Sequence, residues 1–191
     1  MPEEERRAAV CRAAMELIAE RGLEETTLRA IGELAGMSAG HVLYYFGSRD
    51  GILVETLAWS EAELTERRRA TLAKIKDPWK KLRKLADLFL PDERRDPRWA
   101  LWMEVTRLAP DDPDTLKAID ALEQEWVDDL ADIIRYGTAS GIFSTDDADG
   151  AVERISLLWE GLATQVYSGS PSYPRSNALR IALDATDREL S

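Results

Sequence analysis

Three Asp-Pro pairs, Asp77-Pro78, Asp96-Pro97 and Asp112-Pro113, each stand directly before an apolar segment of helical period. Proline suits the first turn of a helix, because its φ is already helical and its missing N–H is one that a helix start leaves unpaired. The aspartate beside it favours the positive end of the helix dipole. Strand signals are nearly absent: no stretch alternates cleanly for many residues, and β-branched clusters are short. The chain reads as helices throughout, an all-α fold.

The same punctuation predicts about nine helices. Residues 5–21 set Val10, Ala13, Ala14, Leu17 and Ile18 on one face and stop at Gly22. Thr26-Thr27 supplies a capping hydroxyl for a short helix carrying Leu28, Ile31 and Leu34, ended by Gly36. Ser38 caps residues 39–46, Gly47 ends them, and Ser48 opens a fourth helix that runs to about Ile75. The Asp-Pro starts open helices closed by Pro91, by Pro110 and by Gly141. Residues 146–168 repeat apolar side chains from Ala148 to Val166, and beyond the linker 169–174 a last helix covers 175–190. No internal repeat is present. The expected division is an N-terminal head, residues 1–50, and a C-terminal helical body, residues 51–191.

Charge and cysteine content restrict what such a bundle does. Against 25 basic side chains the 191 residues carry 36 acidic ones, a net charge of −11. That argues against indiscriminate nucleic-acid binding, which rests on a basic surface, but leaves room for a local site. No apolar run approaches the roughly 18 residues of a membrane helix, and the N-terminus MPEEERR has no signal-peptide core. Cys11 is the one cysteine, which excludes an intrachain disulfide and fits a reducing cytosol. With His41 as the one histidine, the usual Cys/His zinc sites cannot be assembled. The expectation is a cytoplasmic protein with no metal, no cofactor and no membrane partner.

Residues 26–46, TTLRAIGELAGMSAGHVLYYF, hold two short helices joined by a tight Gly36-Met37 connection, the second with few charges. This is the layout of a helix-turn-helix, in which the second helix enters the major groove and the first crosses the backbone. Gly36 permits the sharp turn, Leu34 and Met37 pack the pair, and Ser38 caps the inserted helix. Ala39 and Gly40 are small enough to bring its start close to base edges, while Tyr44 and Tyr45 carry hydroxyls that reach phosphate.

The run from Ala35 to Leu53, AGMSAGHVLYYFGSRDGIL, resembles the signature of the TetR-type transcriptional regulators of bacteria, with the flavour of their BetI-like branch. The preceding Glu20–Ile31 run, ERGLEETTLRAI, is similar to the same family's passage from first to second helix. The likeness covers about residues 6–57; beyond them helix count and length agree. It implies a three-helix DNA-binding head on a body that binds ligand and dimerises. Position by position it implies phosphate contacts for Thr27 and Tyr44. It implies a phosphate contact for Arg49 too, where the family more often has lysine, since its charge and the helix N-terminus beside it suit phosphate. It also places Ala39, Gly40 and His41 at the exposed start of the reading helix; Ala39 is shorter than the usual residue there, so fewer base contacts are expected. Arg29 is a further backbone candidate. Residues 1–55 hold six arginines, no lysine and ten acids, a net of −4, so DNA binding needs a locally positive face.

Other patterns are weaker. Gly36-Met-Ser-Ala-Gly40 fits the nucleophile elbow of hydrolases, but the preceding strand is missing and His41 is three residues from Ser38, so no enzyme is expected. Thr145–Gly150 hints at a calcium loop and fails at its first and twelfth positions, Thr145 and Ser156. Cys11 reads as a small core residue, and residues 61–69 as a solvated charged face.

All six tryptophans, at 59, 79, 99, 102, 126 and 159, fall outside the helix-turn-helix. Core packing explains most of them. The resemblance implies an effector chamber among the middle helices. If Trp102, Met103, Glu104, Trp126, Trp159 and Glu160 line it, acid and aromatic surface favour a cationic or aromatic guest. Ile155, Leu158, Leu162 and Val166, with Leu179 and Leu183, form the stripe expected at a homodimer's four-helix seam, helped by the small Ser156, Gly161, Ala163 and Thr164. The expected function is a homodimeric repressor that a small-molecule effector releases from palindromic double-stranded operator DNA. The alternative is a helical small-molecule-binding or scaffolding protein with a weakened DNA-binding head.

Overall fold

The computed structural model describes residues 2–109 and 112–191. Among the described residues there are nine helices and no strand: α1 (Glu3–Arg21), α2 (Leu28–Ala35), α3 (Ala39–Phe46), α4 (Arg49–Ala73), α5 (Pro78–Phe89), α6 (Pro97–Leu108), α7 (Pro113–Ala139), α8 (Ala148–Ser168) and α9 (Arg175–Glu189). Pro110, the expected stop of α6, lies outside the described residues.

Aspartates sit at three of the helix starts and cap them directly. Asp77 accepts a hydrogen bond from Lys80 N–H, Asp96 from Arg98 and Trp99 N–H, and Asp147 from Gly150 N–H, each satisfying a donor that a helix start leaves open. No helix among the described residues is long and apolar enough to cross a membrane.

The chain gathers into two compact units, Met1–Leu64 with Asp96–Leu122, and Thr65–Arg95 with Glu123–Ser191. Helices α4 and α7 each begin in the first unit and end in the second. In the first, Val10, Ala14 and Leu17 of α1 pack with Ile31 of α2, Val42 and Phe46 of α3 and Ile52 of α4. A second cluster joins Ile18, Leu53 and Leu57 to Leu101 and Val105 of α6 and Ile119 of α7. Cys11 is buried here as a small apolar residue, and burial pushes its thiol pKa up to about 11.

In the second unit α5 packs on α8 and α9, and α8 on α9. Arg175 donates to the Pro91 and Asp87 carbonyls at 3.0 and 2.8 Å and pairs with the Asp87 carboxylate at 2.9 Å, fixing the start of α9 to the end of α5. Ser144 N–H donates to the Leu190 carbonyl at 2.9 Å, closing the chain's end onto the α7–α8 turn.

Residues 61–69 form the expected solvated face only in part: Glu63, Glu66, Arg67 and Arg69 are exposed, while Glu61 and Arg68 are not. Glu61 is buried against Arg98 at 3.4 Å, and Arg68 is fully buried against Asp129 at 2.6 Å. Partners from distant segments took these charges out of water, which a helical pattern of charge by itself does not reveal.

Candidate nucleic-acid interface

Helices α2 and α3 are held as a pair by one turn. Gly36 is left-handed, with φ of 69°, and its N–H together with that of Met37 returns to carbonyls of the last turn of α2. Gly32 makes the close approach possible, because a Cβ there would lie 2.6 Å from the Met37 carbonyl oxygen. Sequence reasoning had passed over Gly32; its one signal is a glycine inside a helix, which costs stability unless something must come close.

Thr27 Oγ1 accepts from Ala30 N–H at 3.2 Å and Ser38 Oγ from His41 N–H at 3.2 Å. Each cap is worth about 1 kcal/mol. Because each hydroxyl accepts in its cap, its hydrogen stays free to donate to a phosphate oxygen.

The faces of α3 differ sharply. Val42 and Phe46 turn into the core, while Ser38, Gly40, His41 and Tyr44 are exposed and Ala39 is half-buried. Tyr44 is 80% exposed, its phenol clear of the core. Thr27 and Arg29, at the start of α2, are also exposed. Arg29 is paired with Glu33 at 2.8 Å, an open-water pair that yields readily to a stronger partner.

Two expected contacts are placed otherwise. Tyr45 is half-buried, packs on the core and accepts a hydrogen bond from Arg6 at 2.7 Å. Adjacent residues of a helix point about 100° apart, so Tyr45 turns partly toward the core while its ring still meets Tyr44 edge-on at 5.4 Å and stacks on His41 at 5.8 Å. Arg49 donates to the Leu23 carbonyl at 3.1 Å and the Thr26 carbonyl at 3.4 Å, bracing the loop before α2. Arg7 makes a comparable brace, donating to the Tyr45 carbonyl at 2.9 Å and pairing with Glu55.

The expected effector residues are divided. Trp102, Met103 and Glu104 belong to the first unit, and Trp126, Trp159 and Glu160 to the second. Trp126 and Trp159 are buried, but Glu160 faces solvent. Glu104 is held below the usual carboxylate range chiefly by its hydrogen bond with Arg107. The charge that does stand among the aromatic rings is Arg68, whose guanidinium carbon lies 3.8 Å from the centre of Trp126.

The expected dimer seam is corrected in part. Ile155, Leu162 and Val166 are at most 5% exposed in the single chain, and Ala163 is fully buried, so these residues build the protomer core. Leu158, Leu179 and Leu183 are half-buried. The outward side of α8 instead offers Leu157, 62% exposed, with Gly161 and Thr164. An apolar stripe alone does not tell a core from an interface.

Comparison with known proteins matches residues 10–56 to the bacterial regulatory proteins of the tetR family, and residues 78–191 to the BetI-type transcriptional repressor C-terminal family. The HTH-type transcriptional regulator PksA of Bacillus subtilis is 26% identical over 162 residues, covering 84% of this chain and 78% of that protein. BetI of Burkholderia cenocepacia is 41% identical over 81 residues, covering 41% of each chain. Among solved structures, a protein of Saccharomonospora viridis described as a transcriptional regulator, in complex with choline, superposes with a TM-score of 0.86 at 27% identity over 98% of both chains.

Proposed function

We propose, for a chain that belongs to the tetR family of bacterial regulatory proteins and carries a BetI-type repressor C-terminal domain, a homodimeric repressor that leaves its operator when a small molecule binds. One observation carries the DNA reading: the solvent edge of α3 presents Ser38, Gly40, His41 and Tyr44 as a group, beside the Thr27 hydroxyl, while the opposite face is apolar core. In this reading Tyr44 and the hydroxyls of Thr27 and Ser38 hold phosphates, and Ala39, Gly40 and His41 approach base edges. Arg29 exchanges Glu33 for phosphate. Arg49 positions the loop that presents Thr27, and Tyr45 with Arg6 stiffens α3 from behind.

The head bears few cations, so two copies acting together supply the phosphate contacts that one lacks, and the operator repeats as an inverted pair. The second copy docks on the outward side of α8, where Leu157 meets its own mate and Gly161 admits a close helix. Effector release works through α4, which begins beside the head and ends in the unit that holds Trp126 and Trp159. No catalytic step is assigned, and such a regulator works in the cytoplasm.

A gel mobility shift on the intergenic DNA upstream of the protein's own coding region, at low salt, tests the reading. A discrete shift that specific competitor removes and random DNA does not is the expected result. Absence of any shift favours the other reading, a helical small-molecule-binding protein with a weakened head, for which the net charge of −4 over residues 1–55, six arginines against ten acids, speaks.

A further inference from the structure

Arg68 is fully buried, and of the five N–H donors of a guanidinium only that on Nε has a partner among the described residues, Asp129 at 2.6 Å. Nη1 and Nη2 find no acceptor among the described residues, and neither does the indole N–H of Trp159. One aromatic cluster links these orphaned groups. Trp126 covers the guanidinium face at 3.8 Å, Phe89 meets Trp126 edge-on at 5.3 Å, and Phe89 lies tilted against Trp159 at 6.0 Å.

Asp129 does not belong to Arg68 alone. Its other oxygen accepts from Arg69 at 3.1 Å, and Arg69, half exposed, also has Glu125 at 3.8 Å. A single carboxylate is thus shared by two guanidiniums, and the inner one keeps positive charge and unused donors. Buried donors without acceptors are disfavoured in the folded chain, so a molecule that brings acceptors gains what the protein alone lacks. The paired amino groups at the end of a guanidinium match the two oxygens of a carboxylate in parallel hydrogen bonds. The rings beside them suit a flat apolar body.

We propose that the second unit binds an organic carboxylate with a flat, apolar body. Its two oxygens take Nη1 and Nη2 of Arg68, and its body lies against Trp126, Phe89 and Trp159. A cationic guest meets a like charge at Arg68, so the expectation of a cation drawn from Glu104 and Glu160 is replaced by its opposite. That the bound acid acts as effector rests on the regulator reading above; that it binds does not.

Calorimetric titration of the full-length protein with phenylacetate and 2-naphthoate, with the neutral amide of each, and with choline tests the site. At least one acid is expected to bind about 10- to 100-fold more tightly than its amide, the range of a hydrogen bond to a charged group, and choline not at all. Arg68→Met, which fills similar volume without donors, is expected to lose that preference while keeping helicity and DNA binding. Trp159→Phe removes only the indole donor, and Arg68→Lys keeps the charge without the fork; both are expected to weaken the acid less than Arg68→Met. Neither acid outbinding its amide, tight choline binding, or an Arg68 variant that holds the acid as the wild type does would overturn the proposal. Acid binding by a protein that shifts no DNA keeps the site and removes the regulator; a DNA shift without acid binding does the reverse.

Discussion

Thr27 and Ser38 face solvent and each closes a helix start, whereas Arg68 and Trp159 are buried and hold N–H groups that meet no acceptor among the described residues. Both regions keep hydrogen-bonding capacity in reserve. In the head the reserve costs little, since water serves the spare hydroxyl hydrogens until a phosphate replaces it. In the aromatic cluster no acceptor among the described residues serves it, so the folded state carries a penalty that the proposed ligand relieves. The head is therefore complete before it meets DNA, while the second unit is expected to gain stability from its guest.

The sharpest way to break the contrast is at Gly32. A valine there drives Cβ and its methyls toward the Met37 carbonyl, which a Cβ already approaches to 2.6 Å. Gly32→Val is expected to cost about 3 kcal/mol, in the upper range for overpacking, and to abolish the DNA shift, as thermal melting and a mobility shift would record. Tyr44→Phe combined with Thr27→Val removes two outward hydroxyls and leaves the core untouched, at the cost of the α2 cap, about 1 kcal/mol. It is expected to weaken binding about tenfold alike on specific and random DNA, whereas changes at Gly40 or His41 alter sequence preference.

Caps and orphans then part company in the unliganded protein. Ser38→Ala is expected to cost about 1 kcal/mol in denaturant melts. Arg68→Met is expected to cost less than the roughly 3–5 kcal/mol usual when one partner of a buried pair is removed, because Asp129 keeps Arg69. A fall of several kcal/mol would mean that Arg68 serves the fold and awaits nothing.

The smallest effect concerns acid. Burial alone would raise the Asp87 carboxyl pKa, but hydrogen bonds from Lys84 and Arg175 outweigh it and hold the pKa below the usual range. A depressed folded value stabilises above the unfolded value and is lost as pH falls through the folded one. Asp87→Asn is thus expected to flatten the loss of stability between roughly pH 5 and pH 3.

What the chain announced and what it hid follow one physical line. Caps are local, so Thr27, Ser38, Asp77 and Asp96 could be read where they stand, and with them the starts of α2, α3, α5 and α6. The end of α4 at Ala73, short of the expected Ile75, shows how weakly a frayed terminus is marked. Partnership between distant segments left no such trace. Arg68 looked like any exposed helix charge until Asp129 and Trp126, some sixty residues later, surrounded it. The neighbours Tyr44 and Tyr45 read alike in sequence, yet one is exposed and the other half-buried with its hydroxyl held by Arg6, and Ile155, Leu162 and Val166 belong to the core of one chain although their stripe suited a seam between two.

The claim on which the rest depends is that an acidic chain grips DNA through the outer edge of α3 and the start of α2, two copies at a time. Fluorescence anisotropy of its upstream intergenic DNA, titrated with the protein while salt is raised, measures this most directly. Two chains per site are expected, with a plot of log affinity against log salt of slope about −2 or steeper, since Arg29 of each copy neutralises a phosphate and each such contact contributes close to one. Binding that ignores salt, or none at the lowest salt, would contradict it.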